Sequence, residues 1–335
     1  MTLQQSASHI AATSVEALTV HHTAYGCLKA TGEDALDLLN RLSTNRVDHL
    51  EPGHWAPTVL TTDRGRIVDL LCAVHAGECV YLLTSPGQQQ PVMDWLDKYT
   101  IMEDLEVTDV SGSMAILALA GEGASIALGL DAEEPDYLPG RQYPAPTVNI
   151  GGWEAIAVSR PLGGLPCRLL VLPGEAAPAA AAELSEAGAV AADASEWETL
   201  RVHSGAPAYG SEMGEPYNPL EAGLIGVIDF TKGCYIGQEV IARLDSYDRV
   251  QKYLAVLIFS EDSDATAGAS LALDGRTAGE VTSLYRTPGG QLRGLGYVRT
   301  AAAQPGQILE LQAPASGTAT VEDTPKLFGP GQDFS

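Results

Sequence analysis

The most distinctive chemical group in this sequence is a cysteine set between glycines, just before a predicted helix. Residues 232–239 read K-G-C-Y-I-G-Q-E, and the residues that follow are spaced to form one apolar helical face. Unpaired amides and the helix dipole at such a position favour a thiolate, and Lys232 adds a positive charge close to Cys234. The pattern predicts a reactive thiol, but a buried cysteine at a tight turn, with glycines that only permit positive φ, gives the same spacing.

The other four cysteines lie in apolar, strand-like runs, where a free thiol behaves as a small hydrophobic side chain. They are Cys27, Cys72, Cys79 and Cys167. An odd total of five, without a C-x-x-C pair, predicts neither a disulfide framework nor a zinc ribbon. The sequence therefore predicts no metal site, and it contains no Walker loop, G-x-G-x-x-G, H-E-x-x-H or G-x-S-x-G motif.

The composition indicates an acidic globular protein of two or three domains. The chain has 335 residues, 45% of them hydrophobic, and a formal net charge of −24 from 43 acidic and 19 basic residues. Such a surface repels polyanions, so we expect no stable direct binding to nucleic acid. No apolar run approaches the roughly 20 residues needed to cross a bilayer, and the N-terminus lacks the features of a secretory signal. We expect a cytoplasmic location without membrane contact.

Hydrophobic periodicity predicts helices and strands in irregular succession, followed by a region of strands alone. An amphipathic helix capped by Thr31 is expected to open the series, and further helices are predicted over 91–100, 177–187 and 195–203. After Lys252, short strands over 252–260, 279–286 and 292–299 predict a small all-β barrel or sandwich. The domain boundary is predicted between about 246 and 251.

Several motifs resemble one known family. K-G-C-Y-I-G-Q-E is similar to the K-G-C-[YF]-x-G-Q-E hallmark of the folate-binding YgfZ/GcvT family, in its YgfZ branch. R-x-x-x-G-x-P-x-x-G-x-E at 201–212 and P-x-E-x-G-L at 219–224 resemble elements that YgfZ proteins share with the glycine-cleavage T-protein. Residues 31–47 are similar to the first helix and T-N turn of both, and the resemblance covers roughly 20–311.

The resemblance implies an α+β fold, a three-lobed ring around a central hole that binds tetrahydrofolate or a derivative. Two interleaved α/β lobes would occupy 20–248, and a C-terminal all-β barrel 249–330. Tyr25, Tyr209 and Tyr235 are available to stack on a pterin, although tyrosines are more often core or rim residues. The residues implied to contact folate are Asn45, Asp69, Arg201, Glu212, Tyr235, Gln238 and Glu239.

Two departures from the T-protein pattern favour the YgfZ branch. The G-x-I-x-D-D element has Leu70 after Asp69, and the T-G-E element is missing from 160–167, so a carboxylate that could handle the transferred amine is lost. The resemblance then implies an accessory protein for iron–sulfur cluster assembly or repair, with iron–sulfur assembly or client proteins as partners and an indirect effect on tRNA modification. Cys234, Lys232 and Asp69 would be its chemically active residues.

Two alternatives stay open. The first is an enzyme, an aminomethyltransferase or one-carbon demethylase with Asp69 as its carboxylate. The second is a protein-interaction scaffold in which folate has no role. Arg201 and Glu212 could also pair with each other rather than with folate.

Overall fold

The computed structural model describes residues 18–131, 136–247 and 249–328, which form one mixed sheet, one antiparallel sheet, their covering helices and a closed barrel. The helices are α1 (Ala35–Leu42), α2 (Gln89–Tyr99), α3 (Ala124–Ala127), α4 (Ala177–Glu186), α5 (Ala194–His203) and α6 (Gln238–Ser246). The strands are β1 (Thr19–His22), β2 (Gly26–Thr31), β3 (His54–Thr61), β4 (Ile67–His75), β5 (Val80–Thr84), β6 (Glu106–Asp109), β7 (Met114–Ala120), β8 (Tyr143–Pro144), β9 (Thr147–Ile150), β10 (Trp153–Ser159), β11 (Cys167–Pro173), β12 (Val190–Ala191), β13 (Lys252–Phe259), β14 (Ser270–Leu273), β15 (Arg276–Arg286), β16 (Leu292–Arg299), β17 (Ile308–Leu311) and β18 (Thr318–Asp323).

The strands of the two sheets alternate along the chain. The first sheet has the order β12-β1-β7-β11-β10-β9, and the second has the order β6-β2-β5-β4-β3-β8. The chain therefore enters the first sheet, builds most of the second, and crosses between them again at β7, β8 and β9. This agrees with the interleaving that the family resemblance implied, whereas the ring around a central hole stays a prediction.

The two sheets pack face to face over one shared apolar core. Strand β4 shows the arrangement: Leu70 and Cys72 belong to this core, while Leu71 and Ala73 belong to a second core beneath α1 and α2. Because successive side chains of a strand point to opposite faces, a strand buried on both faces reads as a continuous apolar run. Helices α3 and α4 cover the outer face of the first sheet in the same way.

The C-terminal strands close into a barrel with the order β13-β16-β15-β14-β17-β18. The sequence left a barrel and a sandwich open, and the structure has the barrel. Its first strand begins at Lys252, directly after the predicted boundary. The division at 248/249 stays a prediction, and residues 248, 329 and 330 lie outside the described residues.

The start of the first helix differs from the prediction. Thr31 is the last residue of β2 and pairs with Glu106 of β6, so it cannot cap the helix. Gly32 turns the chain with a φ of 112°, and α1 begins at Ala35 after Asp34, which makes no side-chain capping bond. Thr31, which the local sequence pattern predicted as the helix cap, is therefore part of a strand instead.

Candidate functional site

Lys232 is buried beneath the first helix rather than beside solvent. Its Nζ donates to the backbone carbonyls of Asn40 at 2.7 Å, Ser43 at 2.8 Å and Asn45 at 2.7 Å. Carbonyls at the end of a helix lack partners within the helix, and a cation is favoured at that end of the dipole. Lys232 therefore caps the C-terminus of α1, although burial lowers the pKa of its ammonium to about 7.

Asn45 has its side chain engaged within the protein. Its Nδ2 donates to the carbonyl of Pro57 at 2.8 Å, and its Oδ1 accepts from the N–H groups of Gly140 at 2.7 Å and Arg46 at 3.0 Å. The residue is 1% exposed. Asn45 thus holds the T-N turn, and its contact with folate stays a prediction.

Residues 229–237, here called the motif loop, are fixed against the turn between β3 and β4. Gly237 precedes α6 with a φ of 86°, and a Cβ atom there would lie 2.5 Å from the carbonyl oxygen of Thr62. Thr61 Oγ1 donates to the carbonyl of Ile236 at 2.6 Å. The second glycine of the motif is therefore required both by its backbone conformation and by close packing.

Tyr235 lies inside the motif loop and is not available as an open stacking surface. The ring is 7% exposed and its centroid lies 5.2 Å from Lys232 Nζ. Its buried hydroxyl has no hydrogen-bond partner among the described residues, and burial raises its pKa. Any contact with folate would require the loop to open.

Cys234 is the exposed thiol of this protein, since the other four cysteines are buried. It lies three residues before the N-cap Gly237, and the Lys232 ammonium donates to three carbonyls instead of supplying a charge free for the thiol. Burial raises the pKa of Cys27 to about 12 and that of Cys72 to about 11. Accessibility, rather than the predicted helix-terminus geometry, distinguishes Cys234.

The last two motif residues belong to the first turn of α6. Gln238 is half-buried and Glu239 is exposed. Glu239 pairs with Arg243 one turn later at 2.8 Å, a surface ion pair of small energetic value. The contact of Gln238 and Glu239 with folate stays a prediction.

Asp69 lies on β4, and its side chain is fully buried. Its carboxylate accepts from the backbone N–H groups of Leu70 and Ser85, both at 2.9 Å. Burial raises the pKa of Asp69 to about 6, against the opposing effects of these hydrogen bonds and of the nearby Arg160 guanidinium. The neighbouring Leu70 is 2% exposed in the shared core, so the second acidic position of the T-protein pattern is apolar here.

A small cavity lies next to Asp69. Its volume is about 10 Å³, the size of one water molecule. Arg160 Nη1 donates to the Tyr25 hydroxyl at 2.9 Å, and the guanidinium lies 5.1 Å from the Tyr25 ring centroid. The cavity is lined by Tyr25, Leu70, Cys72, Leu83, Thr84, Ser85, Arg160 and Leu169.

The cavity offers a pterin a tyrosine ring to stack on, but its lining contains no carboxylate. The Asp69 carboxylate could accept from the N–H groups of an aminopyrimidine, but it is not part of the lining and already accepts from the N–H groups of Leu70 and Ser85. A pterin is far larger than one water molecule, so the Arg160–Tyr25 pair would have to swing aside to admit it. Arg160 and Ser85 were not among the residues predicted from the sequence. The signals that could have indicated them are an isolated arginine between two apolar strands and the two hydroxyl residues Thr84 and Ser85 at the end of β5.

Arg201 and Glu212 connect the sheets to the barrel. Arg201 Nη1 donates to Glu212 Oε2 at 3.0 Å, and Arg201 Nη2 donates to Ser283 of β15 at 3.0 Å. Together with Glu198 and the Ala206 carbonyl, these bonds engage all five guanidinium N–H groups. The ion pair between Arg201 and Glu212, which was considered as the alternative to folate binding, is therefore present. Contact of either residue with folate stays a prediction.

The predicted site residues thus fall into three separate groups. Asp69 is buried on β4. Arg201 and Glu212 lie where the barrel strand β15 meets the preceding part of the chain. The third group is built around the motif loop and consists of Asn45, Lys232, Cys234, Tyr235, Gln238 and Glu239. Within 18–131, 136–247 and 249–328, no cluster of three or more His, Cys, Asp or Glu side chains could hold a metal ion. No helix in the described part of the chain is long and apolar enough to span a membrane.

Comparison with known proteins identifies the family. Residues 4–232 match the GCVT N-terminal domain. "Putative transferase At1g60990, chloroplastic" from Arabidopsis thaliana is 30% identical over 310 residues, covering 90% of this chain and 69% of that protein. An aminomethyltransferase from Thermosynechococcus vestitus is 28% identical over 288 residues, covering 86% of this chain and 78% of that protein.

A solved structure shares the fold. The glycine cleavage system aminomethyltransferase T from Bartonella henselae superposes with a TM-score of 0.73 at 20% identity, covering 92% of this chain and 86% of that one. The interleaved sheets and closed barrel described above are therefore a fold of the aminomethyltransferase type. On the extent of the domain match, this chain belongs to the family defined by the GCVT N-terminal domain.

Proposed function

We propose that this chain binds a reduced folate beside Asp69 and acts, through Cys234, as an accessory protein in iron–sulfur cluster assembly or repair. The observation that carries the proposal is an exposed thiol on a loop that is fixed on both sides of it. Lys232 ties the loop to α1, and Gly237 packs it against the β3–β4 turn. The thiol is thus presented to a partner without local unfolding.

A single thiol sets limits on this role. Protein-bound clusters usually need about four ligands, so Cys234 acts together with groups of a client protein. Tetrahydrofolate, when bound, would supply a pterin and its one-carbon positions. The residues of this chain that would hold it are Asp69 as acceptor and Tyr25 as stacking surface, with Arg160 closing the cavity.

The thiol is tested by Cys234→Ser in cells that lack this protein, with Cys79→Ser as the matched control at a buried cysteine. We expect Cys234→Ser to lower the activities of iron–sulfur enzymes and Cys79→Ser to retain them, with both variants folded by circular dichroism. Full restoration by Cys234→Ser would reject the thiol mechanism.

The folate site is tested by calorimetric titration with 5-formyltetrahydrofolate. We expect binding that Asp69→Asn weakens and that Arg160→Ala alters by opening the cavity. If the wild-type protein does not bind the folate at all, the scaffold alternative is favoured instead.

A second candidate is aminomethyl transfer, and the pKa of Asp69 favours it. A carboxyl with a pKa of about 6 can exchange a proton near neutral pH, and several relatives are named aminomethyltransferase. Leu70 and the absent T-G-E element argue against turnover. Formation of methylenetetrahydrofolate from an aminomethylated lipoyl carrier, lost in Asp69→Asn, would establish this activity.

A further inference from the structure

The turn between α2 and β6 presents two large apolar side chains to solvent. Ile101 is 84% exposed and Met102 is 93% exposed, more than any other large apolar side chain in the described ranges. Hydration of this apolar surface is unfavourable, so burying the two side chains together in a complex would be favourable. We call this pair the apolar tip.

The apolar tip is held in a fixed conformation. Glu103 Oε2 accepts from the backbone N–H groups of Ile101 at 2.8 Å and Met102 at 3.0 Å, while its Oε1 accepts from Arg41 Nη2 at 3.0 Å. These bonds lower the pKa of Glu103 to about 2, so the clamp stays ionised at every physiological pH. Because these bonds fix the backbone of the apolar tip, binding there would cost little backbone conformational entropy.

The surroundings of the apolar tip are acidic. The cations nearby are already engaged: Arg41 pairs with Asp37 at 2.9 Å and with Glu103, and Lys98 packs 4.8 Å over the Trp95 ring. The exposed or half-buried carboxylates around the tip are Glu33, Asp34, Asp37, Asp97, Glu103 and Asp104. This rim repels nucleic acid, anionic lipid and a second copy of a chain whose net charge is −24.

We propose that the apolar tip docks into an apolar pocket on a basic partner protein, with the acidic rim steering the approach. An apolar anchor inside a complementary charged rim is the usual anatomy of a transient interface. Arg41 links the tip to the motif loop, because its side chain donates to Glu103 and its backbone carbonyl accepts from Ile236 N–H at 3.1 Å. A partner seated there would face the loop, although the docking surface does not depend on the function of that loop.

The test places the photo-cross-linker p-benzoylphenylalanine at position 102 of the full chain in its own cells. Position 126 serves as the control, because Ile126 is 68% exposed on α3. The adduct is identified by mass spectrometry, and the identified partner is purified. Its affinity is then measured at low and high salt for the wild type, Met102→Asp and Ile126→Asp.

We expect one partner with an excess of lysine and arginine and an affinity that falls with salt. Met102→Asp should weaken binding at least tenfold, and Ile126→Asp should leave it unchanged. Glu103→Gln, which keeps both apolar side chains but loosens their clamp, should weaken binding to a smaller extent. Adducts no stronger at 102 than at 126, cross-linking to a second copy or an acidic protein, or an affinity unaffected by Met102→Asp would each overturn the proposal.

Discussion

Replacing Glu212 by glutamine should destabilise the protein strongly, because this carboxylate joins the sheets to the barrel. Its Oε1 accepts from the hydroxyls of Thr282 and Ser283, both at 2.6 Å. Its Oε2 accepts from Arg201 Nη1 at 3.0 Å and from the Ala208 N–H at 3.1 Å. Glutamine has nearly the same shape, but its NH₂ group cannot accept from either pair of donors and its charge is absent.

The expected loss is about 3 kcal/mol. Breaking a buried ion pair at one partner costs about 3–5 kcal/mol because the remaining charge is left uncompensated. Here Glu198 also pairs with Arg201, which keeps the expected value at the lower end of that range. Glu198 is 51% exposed, so the control Glu198→Gln should cost less than about 1 kcal/mol.

Urea unfolding of both variants, followed by circular dichroism and by tryptophan fluorescence, measures the difference. Equal effects of the two substitutions, or a loss below about 1 kcal/mol for Glu212→Gln, would refute the clamp. A folate affinity that falls in Arg201→Ala while stability is unchanged would instead support the contact with folate that the sequence predicted.

Three further predictions concern the other groups. Lys232→Met should lower the free energy of unfolding by about 2 kcal/mol, because it leaves backbone carbonyls at the end of α1 unpaired. In the wild type, stability should rise between about pH 7 and 10.4, where the unfolded lysine binds more protons than the folded one. Urea unfolding at several pH values should show this rise lost in Lys232→Met, and a rise that persists in the variant would contradict the prediction. In the wild type, stability should fall as pH rises from about 3.9 to 6, since the folded Asp69 carboxyl binds its proton more tightly than the unfolded one. Thermal unfolding across that pH range should show no such fall in Asp69→Asn, and an unchanged slope would argue against the prediction. In the native protein iodoacetamide should label Cys234 first, and peptide mapping that finds all five thiols labelled equally would exclude a special role.

Helices and strands whose limits depend only on nearby residues could be predicted from the sequence. Helix α4 and strands β13 and β16 lie within a residue or so of their predicted bounds, since apolar periodicity and turn residues set their limits. The predicted start of α1 was wrong because Thr31 pairs in the sheet with Glu106, a residue far along the chain. The alternation of strands between two sheets depends on such distant pairings and came only from the family resemblance.

The sequence motif selected Lys232 and Cys234 as candidate active residues, and their roles stay predictions. Nothing in the local sequence shows that the Lys232 ammonium reaches backbone carbonyls nearly 190 residues earlier. Arg160 was not selected because its contact with Tyr25 joins residues that are far apart in the sequence, and Tyr25 lies in the connection between β1 and β2. Contacts between segments distant in sequence decided each of these cases.

The interleaving of the sheets has a consequence for biosynthesis. β1 lies between β7 and β12, so its neighbours in the first sheet are complete only after Ala191 has left the ribosome. Until then, a growing chain exposes apolar strand edges that can pair with other chains. The barrel, by contrast, is built from consecutive residues between Lys252 and Asp323 and can close as soon as it is synthesised. Truncations before β12 should therefore aggregate, and any chaperone that assists this protein should engage the nascent chain in its first two hundred or so residues.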